Sequence, residues 1–427
     1  MEYKKRIIEE ELELRLSAIG AVLIVGPKWC GKTTTALQYA KSSIKMNDVD
    51  MKEKYLSTAM IKPSNLLIGE KPRLIDEWQE APTVWDTIRS SVDEIGLPGQ
   101  YILTGSTIVD KTNIMHTGIG RISRLKMYPM SLFESNESNG LISLTKLFNN
   151  QVKIDGIEAK LDINELIFAA CRGGWPSSLF AKTEKAKLFV ATDYINNICE
   201  VDISNVRGSE KSSLKTRLLL KSYARNISTL VKNSILINDI NKDEPMSINS
   251  FLEYMNCLRD LYVIDEVDGW CPNIRSKTAI RSGVKREFID PSLAVASLGL
   301  TPEYLRTDLK TFGFVFENLV IRDLKIYSQA LGGNISYYQD RYGLECDCVL
   351  HLNDGRYALI EIKLGSKDIE DGSKHLLKIK ELIIEYNKSN SRNQLRLPDL
   401  LIIITGGAMA YERDDGVKII PISCLRN

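Results

Sequence analysis

The sequence predicts an α/β protein, and three observations predict it. Runs that are apolar at almost every position, AVLIVG at 21–26, PRLID at 72–76 and QYILTG at 100–105, alternate with segments of helical period. Strands of a parallel sheet covered on both faces read in this way. Apolar residues three and four apart dominate the middle of the chain, as in TEKAKLFVATDYINNICEVDI and SSLKTRLLLKSYARNISTLV. Helix and strand patterns alternate again near the C-terminus. Three domains are expected: a parallel-sheet domain over 1–135, a helical domain over 136–310 and a second α/β domain over 311–427.

Composition removes several function classes. Lys+Arg 56 against Asp+Glu 55 gives a net charge of +1, which argues against a chain that binds polyanions along its whole surface. Hydrophobic residues at 44% and charged residues at 26% fit a globular protein and exclude dominant disorder. No apolar run reaches the roughly 18 residues of a membrane span. The opening stretch MEYKKRIIEEELELRL lacks the apolar core of a signal peptide and reads as a solvated amphipathic lead-in to the first strand. A cytoplasmic location is expected. Cys30, Cys171, Cys199, Cys257, Cys271, Cys346, Cys348 and Cys424 form no CxxC pair, and histidines number only 3. Reduced thiols are expected, and a structural zinc site is not.

Between the first apolar run and a helical stretch lies Gly26-Pro27-Lys28-Trp29-Cys30-Gly31-Lys32-Thr33, followed by Thr34. It matches G-x-x-x-x-G-K-[ST] at every fixed position, in the strand-then-helix context that gives the motif its meaning. The loop is expected to wrap the phosphates of ATP, with backbone N–H groups at the helix N-terminus aimed at them. Lys32 reaches the β- and γ-phosphates in this reading, and the Thr33 hydroxyl joins a Mg²⁺. PRLID ends in Asp76 and Glu77, the first a second magnesium partner and the second a general base for the attacking water. YILTGS ends in Thr104-Gly105-Ser106, where Ser106 is the first choice and Thr104 the second for contact with the γ-phosphate or the water. Arg121, in GRISR, is either an arginine finger or a solvated surface residue. No NKxD string is present, so adenine is the default base.

The middle block runs from SINSFLEYMNCLRDLYVIDEVDGW, a helix followed by a strand, into IRSKTAIRSGVKREFID, which reads as a charged β-ribbon. Helix followed by ribbon suggests a winged helix. Arg275, Lys277, Arg281, Lys285 and Arg286 are then either phosphate readers on DNA or a solvated face. Trp175 and Trp270 are expected in core or interface packing.

GPKWCGKTT, RLIDEWQEAP, YILTGST and GRISRLKMYPMSLFE together resemble the prokaryotic AAA+ ATPases of the archaeal-type branch, with Met130 where leucine is more usual. CRGGWP at 171–176, SYARNIS at 222–228 and KREFIDPSLA at 285–294 extend the likeness through the middle domain. The resemblance implies a homo-oligomer and a C-terminal domain of unknown function with restriction-endonuclease-like character.

Block three carries its own candidate set. Glu317 lies on the helix FGFVFENLVIRDLKIYSQA, Asp347 on the strand LECDCVLHL, and Glu361 and Lys363 on ALIEIKLG. Residues i and i+2 of a strand share a face, so Glu361 and Lys363 point the same way. Asp347, across the turn Asn353-Asp354-Gly355, can converge with them, and Glu345 shares its face. This is the D…(D/E)xK arrangement of metal-dependent nucleases, with Asp347 and Glu361 as metal ligands. A surface ion pair and a nuclease-like fold that binds without cutting are the alternatives. Three functions remain: an ATPase that works on a macromolecule such as DNA, an ATP-gated nuclease, and an ATP-dependent switch whose last domain docks a partner.

Overall fold

The structure, a computed structural model, describes residues 3–105, 118–205, 211–272 and 283–427. It is α/β, and it packs as two units. One comprises residues 1–129 with 201–211 and 254–263, and the other comprises the remainder.

In the first unit five parallel strands lie in the order β2-β3-β4-β1-β5. They are β1 (Ala21–Val25), β2 (Ser42–Lys45), β3 (Arg73–Asp76), β4 (Tyr101–Thr104) and β5 (Ile122–Lys126). The three central strands are the three apolar runs. Edge strands β2 (SSIK) and β5 (ISRLK) are too polar to announce themselves. Alternate side chains fill opposite faces. Leu23, Ile75 and Leu103 pack with Trp78 and with Trp85 and Ile88 of α4 (Thr83–Ile95). Val22, Leu74 and Ile102 pack with Leu12 of α1 (Glu9–Ala18) and Ala36 of α2 (Lys32–Tyr39). Helix α3 (Lys52–Ile61) joins the first of these clusters through Ala59. Because every strand points one way, the chain segments leaving β1, β3 and β4 emerge along one edge.

The N-terminal stretch corrects an expectation. It is not a solvated lead-in: Arg6, Glu9 and Leu12 are buried.

The second unit is built on a seven-stranded mixed sheet of order β7-β12-β13-β11-β10-β9-β8. Its strands are β7 (Asp155–Glu158), β8 (Gly333–Gln339), β9 (Glu345–Leu352), β10 (Tyr357–Lys363), β11 (Leu400–Thr405), β12 (Met409–Glu412) and β13 (Lys418–Pro421). A small parallel pair, β6 (Ile142–Ser143) with β14 (Leu425–Arg426), ties the chain end to a segment after residue 130. Strands β8 and β9 pair antiparallel, with Asp347 on β9.

The helices of this region are α5 (Leu144–Phe148), α6 (Ile163–Arg172), α7 (Pro176–Phe180), α8 (Glu184–Asn197), α9 (Ser213–Arg225), α10 (Asn233–Ile240) and α11 (Ile248–Asp260). After them come α12 (Pro291–Leu298), α13 (Pro302–Thr307), α14 (Leu309–Ala330) and α15 (Ile369–Ser389), while the residues of α11 from Tyr254 on are counted with the first unit. Helix α12 lies against α6, α8, α9 and α14, while α14 and α15 pack on the sheet. Among the described residues two isolated antiparallel bridges, Ile264 to Phe288 and Val267 to Lys285, join the segments after α11 and before α12. Arg275, Lys277 and Arg281 lie outside the described residues.

A buried polar knot holds the helices together. Asp290 caps α12, accepts from Gly174 N–H at 2.9 Å and pairs with Arg322 at 2.8 Å. Arg322 also pairs with Asp323, whose other oxygen accepts from Leu132 N–H at 3.0 Å. The glycine in CRGGWP is dictated by contact: a Cβ on Gly174 would sit 2.1 Å from the Met130 carbonyl oxygen. Trp175 is fully buried, stacks on Tyr194 and donates to Ser292 Oγ at 3.0 Å. Trp270 packs on Tyr338 and Tyr357. Trp175 is thus a core residue, and Trp270 is half-buried and packed against the core of the larger sheet.

Candidate functional site

The loop from Gly26 to Thr33 joins β1 to α2 in conformations that its glycines permit. Gly26 has φ 146 and Gly31, the N-cap of α2, has φ 102. A Cβ on Gly26 would lie 2.1 Å from Met127 O, so this position has no room for a side chain. Pro27 and Cys30 are buried, and the Cys30 side chain belongs to the core. Trp29 adopts φ 62 and is exposed. Lys28 turns away to pair with Asp202 at 2.5 Å. Thr34 is exposed on the first turn of α2.

Lys32 is buried and donates to the carbonyl oxygens of Gly26 at 3.0 Å and Pro27 at 2.7 Å. Its ammonium is thus stored inside the loop that would receive phosphates. Thr33 Oγ1 donates to Asp76 Oδ1 at 2.7 Å, and Thr104 Oγ1 donates to the same oxygen. Asp76 and Thr104 are register partners across β3 and β4, and Thr104 is level with Ile24 of β1. The ends of β3 and β4 and the first turn of α2 therefore meet at one carboxylate. Glu77 leaves β3 in the left-handed region, φ 54, and its carboxylate accepts from Gln79 Nε2.

Ser106 lies outside the described residues. Arg121 does not approach this loop in its own chain. It precedes β5, its carbonyl receives Ala21 N–H at the start of β1, and its guanidinium pairs with Asp93 at 2.8 Å. That is the opposite edge of the sheet, about 17 Å away at 3.3 Å per strand residue.

Sequence reasoning missed the brace beneath the loop. Arg6 donates to the carbonyl oxygens of Cys30 and Tyr128, each at 2.8 Å. Glu9 accepts from Tyr3 at 2.7 Å and Tyr39 at 2.9 Å, and Tyr3 also donates to Thr35 at 3.1 Å. Burial and the Glu9 carboxylate push the Tyr39 hydroxyl well above its ordinary range. The only signal in the sequence was an apolar period interrupted by charges of both signs, which is equally the signature of a surface helix.

In the second unit Glu317, Asp347, Glu361 and Lys363 do converge, and a fifth residue stands among them. Lys285 pairs with Glu317 and lies 3.6 Å from Asp347 Oδ1. Lys363 lies 2.5 Å from Glu361 and 3.3 Å from Asp347, which also accepts from Ile362 N–H at 2.9 Å. Burial, reinforced by the Asp347 charge, raises Glu361 to about 8 and Glu317 to about 7. Burial also acts on Asp347, yet Lys285 and Lys363 outweigh it and hold that carboxyl below its ordinary value. For the two lysines burial favours the neutral form, but the carboxylates prevail and keep both charged.

This arrangement corrects one expectation, that of a solvated basic ribbon. Asp347 and Glu361 face lysine ammoniums. In this structure the cluster is an ion-pair network of Lys285 and Lys363 with Glu317, Asp347 and Glu361. Lys285 and Arg286 are not a solvated phosphate-reading face. Both are buried, and Arg286 pairs with Glu266 and donates to Asn233 at 2.6 Å. Glu345 stays exposed, near Gln339.

Comparison with known proteins adds identity to part of this picture. The family of AAA domains matches residues 19–136. A domain of unknown function, DUF8612, matches 163–304, and another, DUF4143, matches 312–425. Two relatives, the uncharacterized proteins Rv2008c of Mycobacterium tuberculosis and Mb2031c of Mycobacterium bovis, are each 21% identical over 366 residues, spanning 85% of this chain and 74% of their own length. Among solved structures, the Walker-type ATPase PABY2304 of Pyrococcus abyssi is 14% identical with a TM-score of 0.40, covering 67% of this chain and 93% of its own. A RuvB point mutant of Thermotoga maritima is 15% identical with a TM-score of 0.25, covering 61% and 89%. The match to AAA domains coincides with the loop and strand ends described above, so residues 19–136 are similar to AAA domains over the segment that holds them.

Proposed function

We propose that this chain binds ATP with Mg²⁺ in the loop Gly26–Thr34 and hydrolyses it. The observation that carries the reading is the meeting of Thr33, Asp76 and Thr104 at one carboxylate oxygen, beside a buried Lys32 and next to Glu77. Lys32 leaves its two loop carbonyls to neutralise the β- and γ-phosphates. Thr33 and Asp76 offer the oxygen donors that a hard cation prefers, which makes them the magnesium partners. That ion, when bound, draws charge from the phosphate oxygens. Glu77 accepts a proton from the attacking water.

Phosphate release and nucleotide binding test the reading together. Lys32→Ala is expected to abolish tight ATP binding. Glu77→Gln is expected to keep binding and to lower turnover by a factor of roughly 10²–10⁴. Undiminished hydrolysis in Glu77→Gln overturns the assignment of the base, and binding of ATP by Lys32→Ala overturns the site.

Turnover of this kind serves work on, or a response to, a macromolecule. DNA is the first candidate, in a homo-oligomer whose Arg121 serves a neighbouring copy. Hydrolysis stimulated by duplex DNA and suppressed by salt supports that extension. A second reading, nucleic-acid cleavage, attaches to Glu317, Asp347, Glu361 and Lys363. Buried charges are costly unless paired, and here buried Lys285 and Glu361 gather with the half-buried Glu317, Asp347 and Lys363. Incubation of labelled duplex and single strands with Mg²⁺ or Mn²⁺, comparing wild type with Lys363→Ala, decides it. No cleavage by wild type leaves the cluster structural.

A further inference from the structure

A hydrolytic water has two O–H groups, and a general base takes only one of them. Unless an acceptor holds the other, the oxygen lone pair is not fixed toward phosphorus. Gln79 carries an acceptor in the right neighbourhood. It lies in the single 3-10 turn Trp78–Glu80, which begins immediately after left-handed Glu77. Trp78 anchors that turn in the core.

The orientation of the Gln79 amide follows from its partner. A carboxylate only accepts, so the NH₂ group must face Glu77, and Nε2 does donate to Glu77 Oε2. Oε1 is then directed away from Glu77. It is buried and has no hydrogen-bond partner among the described residues. Buried acceptors are seldom left without a donor, and an exception at a strand end calls for an explanation. The atom lies against Gly105, where an added Cβ would come within 2.7 Å of it. Gly105 directly follows β4, the strand between β3, which supplies Glu77, and β1, which supplies the P-loop.

We propose that the Gln79 side-chain carbonyl orients the attacking water, which it shares with Glu77. This deepens the ATPase reading and rests on it. One water O–H donates to Glu77 and the other to Gln79 Oε1, leaving a lone pair for the γ-phosphorus. As the new P–O bond forms, the bond from γ-phosphorus to the β,γ-bridging oxygen breaks and ADP departs with that electron pair. The first proton passes to Glu77, and the second stays on the product phosphate. The Gln79 NH₂ group meanwhile keeps the base in place.

The test uses the full chain with Mg²⁺ and ATP, measuring kcat, KM and their pH dependence for wild type, Gln79→Ala and Gln79→Glu. Gln79→Ala is expected to lose roughly 10- to 100-fold in kcat, with KM within about threefold. In Gln79→Glu two carboxyl groups share one proton, and the acid limb of the kcat profile is expected to move up by about one pH unit or more. A structural role moves neither the pH limb nor kcat alone. The proposal is overturned if Gln79→Ala keeps kcat within about twofold, or if KM rises in step with the loss. Should Gln79→Ala melt early, the nearly isosteric Gln79→Glu carries the comparison, and an unmoved acid limb then overturns it. Absence of hydrolysis in wild type removes the ATPase reading itself, an outcome separate from intact wild-type turnover with indifferent variants.

Discussion

Gly26 admits no side chain. With φ 146 and a Cβ position 2.1 Å from Met127 O, Gly26→Ala must strain the backbone and push β1 from the segment after β5. A loss of about 1–3 kcal/mol is expected from the backbone alone, together with loss of ATP binding, read by urea unfolding and by titration. At Lys285 the governing quantity is charge. Lys285→Met leaves Glu317 and Asp347 short of a counter-charge, and a loss of roughly 3–5 kcal/mol is expected at pH 8. The loss shrinks at pH 5, where protonation relieves the uncompensated carboxylates. Equal losses at both pH values would contradict this account. Glu361 gives a sign that can be worked out. Its carboxyl is raised from 4.5 to about 8, so folding takes up a proton between those values. Stability from this group is therefore highest below pH 4.5 and falls as pH rises toward 8, by at most about 1.4 kcal/mol per unit. Glu361→Gln is expected to flatten that part of the profile in urea unfolding at pH 5, 6, 7 and 8.

At the scale of elements, α1 and the residues before it are part of the nucleotide loop's support. Arg6 holds the Cys30 carbonyl, and Glu9 gathers hydroxyls from Tyr3 and from Tyr39 of α2. Removing Arg6 leaves two buried carbonyls without this donor. Arg6→Ala is expected to weaken ATP binding by about tenfold, an effect of roughly 1.4 kcal/mol, while the far-ultraviolet circular dichroism stays that of the wild type. Unchanged affinity would make the brace a matter of stability alone. The loop was legible because its function imposes a fixed spacing of glycines, lysine and threonine directly after a strand. The brace was not, because a hydrogen bond between residues 24 or 122 positions apart leaves no local period. Edge strands β2 and β5 escaped notice for a related reason: an edge has one neighbour and needs fewer apolar residues.

At the scale of the molecule, the Arg322–Asp290–Asp323 knot joins segments that begin near residues 130, 174 and 290 to α14. Arg322→Met is expected to cost the second unit about 3–5 kcal/mol by leaving two buried carboxylates unpaired, read as a shift in the urea midpoint followed by Trp175 fluorescence. The motifs CRGGWP and KREFIDPSLA gain a reason here: Gly174, Asp290 and Ser292 are parts of this one network.

What the sequence determined by itself was whatever local chemistry and period encode. That covers the α/β class, the three central strands of the parallel sheet, the phosphate loop with Asp76 and Glu77, and the convergence of Asp347, Glu361 and Lys363 through strand alternation. Only the tertiary structure decided the long-range polar partners. It turned Lys285 and Arg286 from ribbon cations into buried ion-pair members, moved Arg121 to the far edge of its sheet, and brought Arg6 under the loop. The physical reason is range: side-chain period is set by neighbours along the chain, whereas the partner of a buried charge is set by desolvation, which acts only once distant segments have packed.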